Sequence, residues 1–115
     1  MWAGTPGPIK EKWTAAFNNM VVASCEFSRS GRELYVGHND GAIIVWDIFG
    51  SGENRKYAAK IPAHTVLRPD KTPDETKSRV SSLEVGPAGY LASGGFDGKV
   101  AIWGASNRQP AVEVI

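Results

Sequence analysis

Asp40-Gly41-Ala42-Ile43-Ile44-Val45-Trp46 returns later in the chain as Asp97-Gly98-Lys99-Val100-Ala101-Ile102-Trp103. Asp, Gly and Trp keep the same spacing in both stretches. Asn, Asp and Gly suit a tight hairpin because they tolerate positive φ at low cost. Apart from Lys99, the residues that follow are β-branched, small or aromatic, as strands prefer. Each stretch therefore reads as a turn leading into a strand. The near-continuous apolarity of Ile43, Ile44, Val45 and Trp46 predicts a strand buried on both faces, as between stacked sheets. A repeat of this kind constrains the architecture more firmly than local propensity does.

The match extends upstream. Val22-Ala23-Ser24 resembles Val80-Ser81-Ser82, Phe27 parallels Val85, Gly31 parallels Gly89 and, after one skipped residue, Leu34 parallels Leu91. The first unit reads as strands at 22–28, 33–37 and 42–47, with turns at Arg29-Ser30-Gly31-Arg32 and Asn39-Asp40-Gly41. The second reads as strands at 80–85, 90–94 and 99–103, with turns at 86–89 and Phe96-Asp97-Gly98. No stretch has the pattern of a long amphipathic helix. The prediction is an all-β chain of two antiparallel sheets side by side.

From Trp46 to Trp103 is longer than the roughly 40 to 45 residues usual for such repeats. The excess falls at 65–78, where Pro69, Asp70, Lys71, Pro73, Asp74, Glu75 and Lys77 rule out a buried strand. This segment is expected to be an exposed, mobile loop, inert unless a partner contacts it. The whole divides as 1–20, an irregular segment or partial strand of a preceding unit; 21–60, a first repeat; 61–103, a second repeat with the insertion; and 104–115, a tail. Val112, Val114 and Ile115 make that tail either a strand fragment closing onto another unit or a disordered end.

Composition narrows the function classes. The 115 residues are 42% hydrophobic and 22% charged, and 13 basic against 12 acidic side chains leave a formal charge of +1. Phosphate binding needs a concentrated basic surface, so nucleic acid is not the expected partner. The one cysteine, Cys25, gives neither an internal disulfide nor a thiolate cluster and is expected to be a small buried hydrophobe. His38 has no second ligand nearby, so no metal site is expected. No apolar run is long enough to span a bilayer, and Gly4, Pro6, Gly7 and Pro8 interrupt the place of a signal-peptide core. An intracellular, cytoplasmic protein is the expectation.

The strings DGAIIVWD and DGKVAIW resemble the ends of WD repeats. Within that superfamily, VASCEFSRSGRELYVGHNDGAIIVWD and SRVSSLEVGPAGYLASGGFDGKVAIW are similar to the C-terminal two repeats of heterotrimeric G-protein β subunits. The Phe-Ser-Arg-Ser-Gly-Arg turn and Arg79-Val80-Ser81 are the most specific pieces. Together the two segments cover roughly half the chain.

The resemblance implies two β-propeller blades, an incomplete propeller, since a propeller has typically 4 to 8. It implies a protein-binding scaffold with no cofactor: a fragment of a signal transducer that binds G-protein α and γ subunits and effectors. Such a protein reaches the inner face of the plasma membrane through its partners, without inserting directly. It implies a buried network in the last repeat of His64, Ser93, Asp97 and Trp103. Only Asp40 and Trp46 remain of that network in the earlier repeat, where Val36 stands in place of the serine. His64, Ser93 and Asp97 also have the composition of a hydrolase triad, but no oxyanion-hole or nucleophile-elbow context accompanies Ser93, so no catalytic residue is expected. The family's partner face carries a tryptophan just before the final turn aspartate. Phe96 holds that position here, keeping the aromatic and losing the indole N–H, and Arg79 matches a family arginine on the loop entering the last repeat. The family's N-terminal helix, which pairs with γ, has no counterpart here. The alternative is a WD-repeat adaptor or assembly scaffold of another family.

Overall fold

The computed structural model describes residues 20–48, 57–104 and 110–114. Two four-stranded antiparallel sheets account for most of them. The first is β1 (Val22–Phe27), β2 (Glu33–His38), β3 (Ile43–Asp47) and β4 (Tyr57–Ile61), in sequence order across the sheet. The second repeats this with β5 (Val80–Val85), β6 (Leu91–Gly95), β7 (Val100–Trp103) and β8 (Pro110–Val114). A four-residue helix, α1 (Glu75–Ser78), lies in the connection between the sheets, and a single 3-10 turn, Pro87–Gly89, joins β5 to β6.

The repeated sequences take the same register. Val36 pairs with Ile44 in the first sheet, as Ser93 pairs with Ala101 in the second. Gly41 and Gly98 adopt φ of +87° and +83° in the two Asp-Gly turns. Each turn is further closed by its aspartate: Asp40 Oδ1 accepts from Ala42 N–H at 3.0 Å and Asp97 Oδ1 from Lys99 N–H at 3.1 Å. The side chain thus takes up a backbone donor that the reversal leaves free.

Alternation along β2 and β3 divides the first sheet's apolar residues between its faces. Tyr35, Ile43 and Val45 share one buried cluster with Val80, Leu91, Ala101 and Trp103 of the second sheet. Val36, Ala42, Ile44 and Trp46 form another on the opposite face. Ile43, Ile44 and Val45 are all fully buried, so β3 is covered on both faces as its apolarity implied. Ser24 Oγ–H donates to Val80 carbonyl at 2.9 Å, a direct bond between the first strands of the two sheets.

Four expectations need revision. β4 was not foreseen as a strand, and it carries the first sheet through Ile61. The tail strand β8 pairs with β7 of its own sheet and does not close onto another. Cys25 is exposed: it lies opposite Val36 on the edge strand β1, away from the face that meets the second sheet. The 65–78 segment is not a featureless loop. Leu67 bridges Pro73, Arg68 N–H donates to Thr72 carbonyl at 2.8 Å, Asp74 caps α1, and Ser78 is fully buried. Residues 1–19, 49–56, 105–109 and 115 lie outside the described residues, and with them the expectation for most of 1–20.

Candidate functional site

His64 lies at the centre of the best-connected polar cluster. It follows β4, and its placement is set by the turn of the preceding repeat. His64 N–H donates to Gly41 carbonyl at 2.9 Å, and Thr65 Oγ1–H donates to Asp40 carbonyl at 2.8 Å. A Cβ on Gly41 would fall 2.5 Å from Thr65 N, so only glycine lets the two backbones approach this closely. On the other side, a Cβ on Gly95 would fall 2.5 Å from the His64 ring. Gly41 thus admits the His64–Thr65 backbone, and Gly95 leaves the slot that the imidazole fills.

Within the slot, His64 Nδ1 is 2.8 Å from Asp97 Oδ1 and Nε2 is 2.8 Å from Ser93 Oγ. Trp103 Nε1–H donates to the same Ser93 oxygen at 2.8 Å. One tautomer satisfies the whole chain: Nδ1–H donates to the carboxylate, Nε2 accepts the serine proton, and the serine oxygen accepts from the indole. His64, Ser93, Asp97 and Trp103 are thus brought together as one connected network. It ties two strands and two turns, and it satisfies polar groups that would be costly inside the sheet.

The same geometry bears on the hydrolase reading. His64 and Ser93 are each 1% exposed. The Ser93 hydroxyl is engaged by both the imidazole and the indole, so no substrate carbonyl can approach it. Nucleophilic attack needs a reacting atom about 3 Å from the nucleophile.

In the first repeat Val36 occupies the register position of Ser93 and offers Trp46 no hydroxyl. The Asp40 carboxylate closes its own turn by the bond to Ala42. The histidine of that repeat, His38, is buried, with Nδ1 3.2 Å from Val21 carbonyl. Among the described residues, no group of three or more histidine, cysteine, aspartate or glutamate side chains is arranged to hold a metal.

Phe96 and Arg79, singled out separately in the sequence, are brought side by side. Phe96 N–H donates to Arg79 carbonyl at 2.8 Å, and the Arg79 guanidinium sits 5.6 Å from the Phe96 ring centroid. Phe96 is 53% exposed and Arg79 is exposed, at the sheet end formed by the Asp-Gly turns. A cation over an exposed aromatic face contributes about 0.5–1 kcal/mol. The pair is thereby pre-arranged as a flat, charged, aromatic surface feature.

Sequence reasoning read Gly41 only as a turn residue and missed Gly95, Thr65 and Ser78. Ser78 Oγ accepts from Val66 N–H at 2.9 Å and donates to Val66 carbonyl at 3.1 Å, fastening the inserted segment to the start of β5. The Gly94-Gly95 pair was a visible signal of a close approach. Ser78 gave none, because a serine in a charged stretch ordinarily faces water.

The WD domain, G-beta repeat family matches residues 12–47 and 68–104, more than half of the chain. The chain is 28% identical over 102 residues to the guanine nucleotide-binding protein subunit beta of Saccharomyces cerevisiae, covering 88% of this chain and 20% of that protein. It is 33% identical over 46 residues to the LST8 homolog of Dictyostelium discoideum, covering 40% of this chain and 15% of that one. Two solved structures share the fold at a TM-score of 0.63: U3-55K, at 22% identity, and the WD40 repeats of RRP9, at 20%. Each covers 85% of this chain, which in turn spans 27% of either structure. The chain thus covers about a fifth or less of the curated relatives it matches. With two copies of the Asp-Gly-strand-Trp unit folded as two four-stranded blades, it belongs to the WD-repeat family, whose repeats build protein-interaction scaffolds.

Proposed function

We propose that this chain is part of a G-protein β-subunit-like signal transducer, and that Phe96 with Arg79 lies on the surface its α subunit covers. The observation that carries the reading is the Phe96–Arg79 pair: an exposed aromatic and an arginine, stacked at the end of the last blade, where the β-subunit family presents its partner face. Aromatics and arginine dominate interface energetics. Similarity to the yeast β subunit over most of the chain supports the same assignment. The protein then acts by binding α, γ and effectors, performs no catalysis of its own, and works in the cytoplasm at the inner face of the plasma membrane, held there by its partners.

The assay is capture of a GDP-bound α subunit by the full-length protein, wild type beside Phe96→Ala. Wild type should bind, and the substitution should weaken binding by about 1–2 kcal/mol, the range of an interface hot spot, with the fold intact. Arg79→Ala should cost less, since a rim charge mostly alters the association rate. Capture of no α subunit by wild type overturns the reading. Its place then passes to a WD-repeat adaptor of another kind, which the local similarity to the LST8 homolog favours. If α binds both proteins equally, the assignment stands and Phe96 loses its role.

A further inference from the structure

Phe96 is held from two sides, and the two holds are joined. On one side its N–H donates to Arg79 carbonyl at 2.8 Å. On the other, the next residue, Asp97, meets His64 Nδ1 at 2.8 Å. His64 is followed by Thr65 and Val66, and Arg79 is preceded by Ser78. Ser78 Oγ accepts from Val66 N–H at 2.9 Å and donates to Val66 carbonyl at 3.1 Å. The chain thus makes a closed circuit from Phe96 through Asp97, His64, Val66, Ser78 and Arg79 back to Phe96. Its junctions, apart from the peptide bonds, are these hydrogen bonds.

The junctions differ in what else supports them. His64 and Asp97 belong to the network with Ser93 and Trp103, and Thr65 Oγ1–H ties the next residue to Asp40 carbonyl. The bond between Phe96 and Arg79 extends the β5–β6 pairing just beyond Val80 opposite Gly95. The Val66–Ser78 junction has no sheet beside it. Val66 N–H has the Ser78 hydroxyl as its acceptor, whereas Val66 carbonyl also accepts from Asp74 N–H at 2.7 Å. Removing the hydroxyl therefore strands the N–H and leaves the carbonyl with another donor. The rest of the insertion keeps its own turns: Arg68 N–H donates to Thr72 carbonyl, and the Asp70 and Asp74 carboxylates accept from Thr72 and Thr76 N–H, each at 3.0 Å. Loss of the hydroxyl thus loosens one junction without unravelling the segment.

We propose that Ser78 is a positioning residue for the partner surface: through Val66 on one side and Arg79 on the other, its hydroxyl keeps the Arg79 guanidinium over the Phe96 ring. Ser78 is fully buried, so it touches no partner and acts only through the pair it aligns. A guanidinium 5.6 Å from an exposed ring centroid gains no more than the rotamer freedom that a long side chain gives up on being fixed. A backbone fastened next to Arg79 narrows that freedom before a partner arrives, which is how preorganisation raises affinity. The consequence for binding rests on the partner-face reading; the alignment of the pair does not.

The test compares Ser78→Ala and Ser78→Cys with wild type in the full-length protein, cysteine filling the space but bonding only weakly. Amide exchange at Val66 and Phe96 should quicken about fivefold or more in both variants, the range of one lost hydrogen bond, while the Ile44 and Ala101 amides, inside the sheets, stay within about twofold of wild type. In arginine-labelled protein the Arg79 Nε–H resonance feels the ring current of Phe96. In both variants it should move towards its position in Phe96→Leu, which has no ring. Capture of GDP-bound α should weaken about threefold or more in Ser78→Ala, and adding Ser78→Ala to Phe96→Ala should bring no further loss, since Ser78 acts through that ring. An unmoved Arg79 resonance, exchange that quickens equally inside the sheets, or wild-type behaviour of Ser78→Cys overturns the proposal. So does, where wild type captures α, unchanged capture by Ser78→Ala or an additive loss in the double variant. If wild type captures no α subunit, the β-subunit reading fails by itself, and the exchange rates with the Arg79 resonance still decide for or against Ser78.

Discussion

Asp40 and Asp97 occupy the same place in the two repeats, but they do different amounts of structural work. Each carboxylate closes its own turn. Asp97 also anchors the imidazole of His64, whose other nitrogen is tied to Ser93 and so to Trp103. Asp97→Ala strands a buried donor at a cost of about 1–3 kcal/mol. Asp40→Ala removes a turn bond only, because Thr65 and His64 reach that turn through the carbonyls of Asp40 and Gly41. Denaturant melts of the two variants, in a protein with enough blades to fold, should therefore show the larger loss for Asp97→Ala. The glycines reverse the ranking. Gly41 and Gly98 share nearly the same positive φ, for which alanine pays about 1–2 kcal/mol at either site. Nothing lies within 4 Å of a Cβ on Gly98, whereas one on Gly41 meets the His64–Thr65 backbone. Gly41→Ala should thus destabilise by at least about 1 kcal/mol more than Gly98→Ala, and equal losses in matched melts would show that the turn can move away from His64.

At the scale of elements, what could be read from the sequence was the duplicated part of each sheet. β1 to β3 and β5 to β7 carry the duplicated turns and the alternating or continuous apolar runs that a covered strand requires. β4 was not legible for a physical reason. It bonds to β3 on one side only, it lies outside the duplicated pattern, and it reads Tyr-Ala-Ala-Lys-Ile with Lys60 exposed, without the apolar run or alternation that marks the other strands. The network was legible because a histidine, a serine, an aspartate and a tryptophan recur at family spacing. The stacking of Phe96 with Arg79 was not, since it depends on a backbone bond across 17 residues of chain. The insertion was misread for another reason. Proline and charge correctly excluded a buried strand, but local Asp–Thr turns can order a segment without burying it. Its order rests on Ser78 and on two aspartates that spend their carboxylates on their own backbone.

The whole molecule has two blades whose packing is unequal on their two sides. The Trp103 face of the second blade is covered by Tyr35, Ile43 and Val45 of the first. The opposite face of the second blade carries Ala92, Val100 and Ile102, in the positions that Tyr35, Ile43 and Val45 hold in the first. Ala92 and Ile102 are partly buried and Val100 is 46% exposed. In the first blade, those positions are where the next blade packs. The same surface in the second blade has no further blade against it among the described residues. Repeat proteins gain much of their stability from such interfaces, and a terminal face that is not polar tends to find another copy. The 115-residue chain expressed alone is therefore expected to melt with low cooperativity and to associate as its concentration rises. Sedimentation velocity over a hundredfold concentration range checks this. Val100→Lys places a charge on the uncovered face, at the start of β7, and points away from the buried cluster shared by the blades, so it should shift the distribution towards monomer without lowering the melting temperature. A sharp melt and a single monomer species at every concentration would mean that two blades suffice, and that the Val100 face is an ordinary solvated surface.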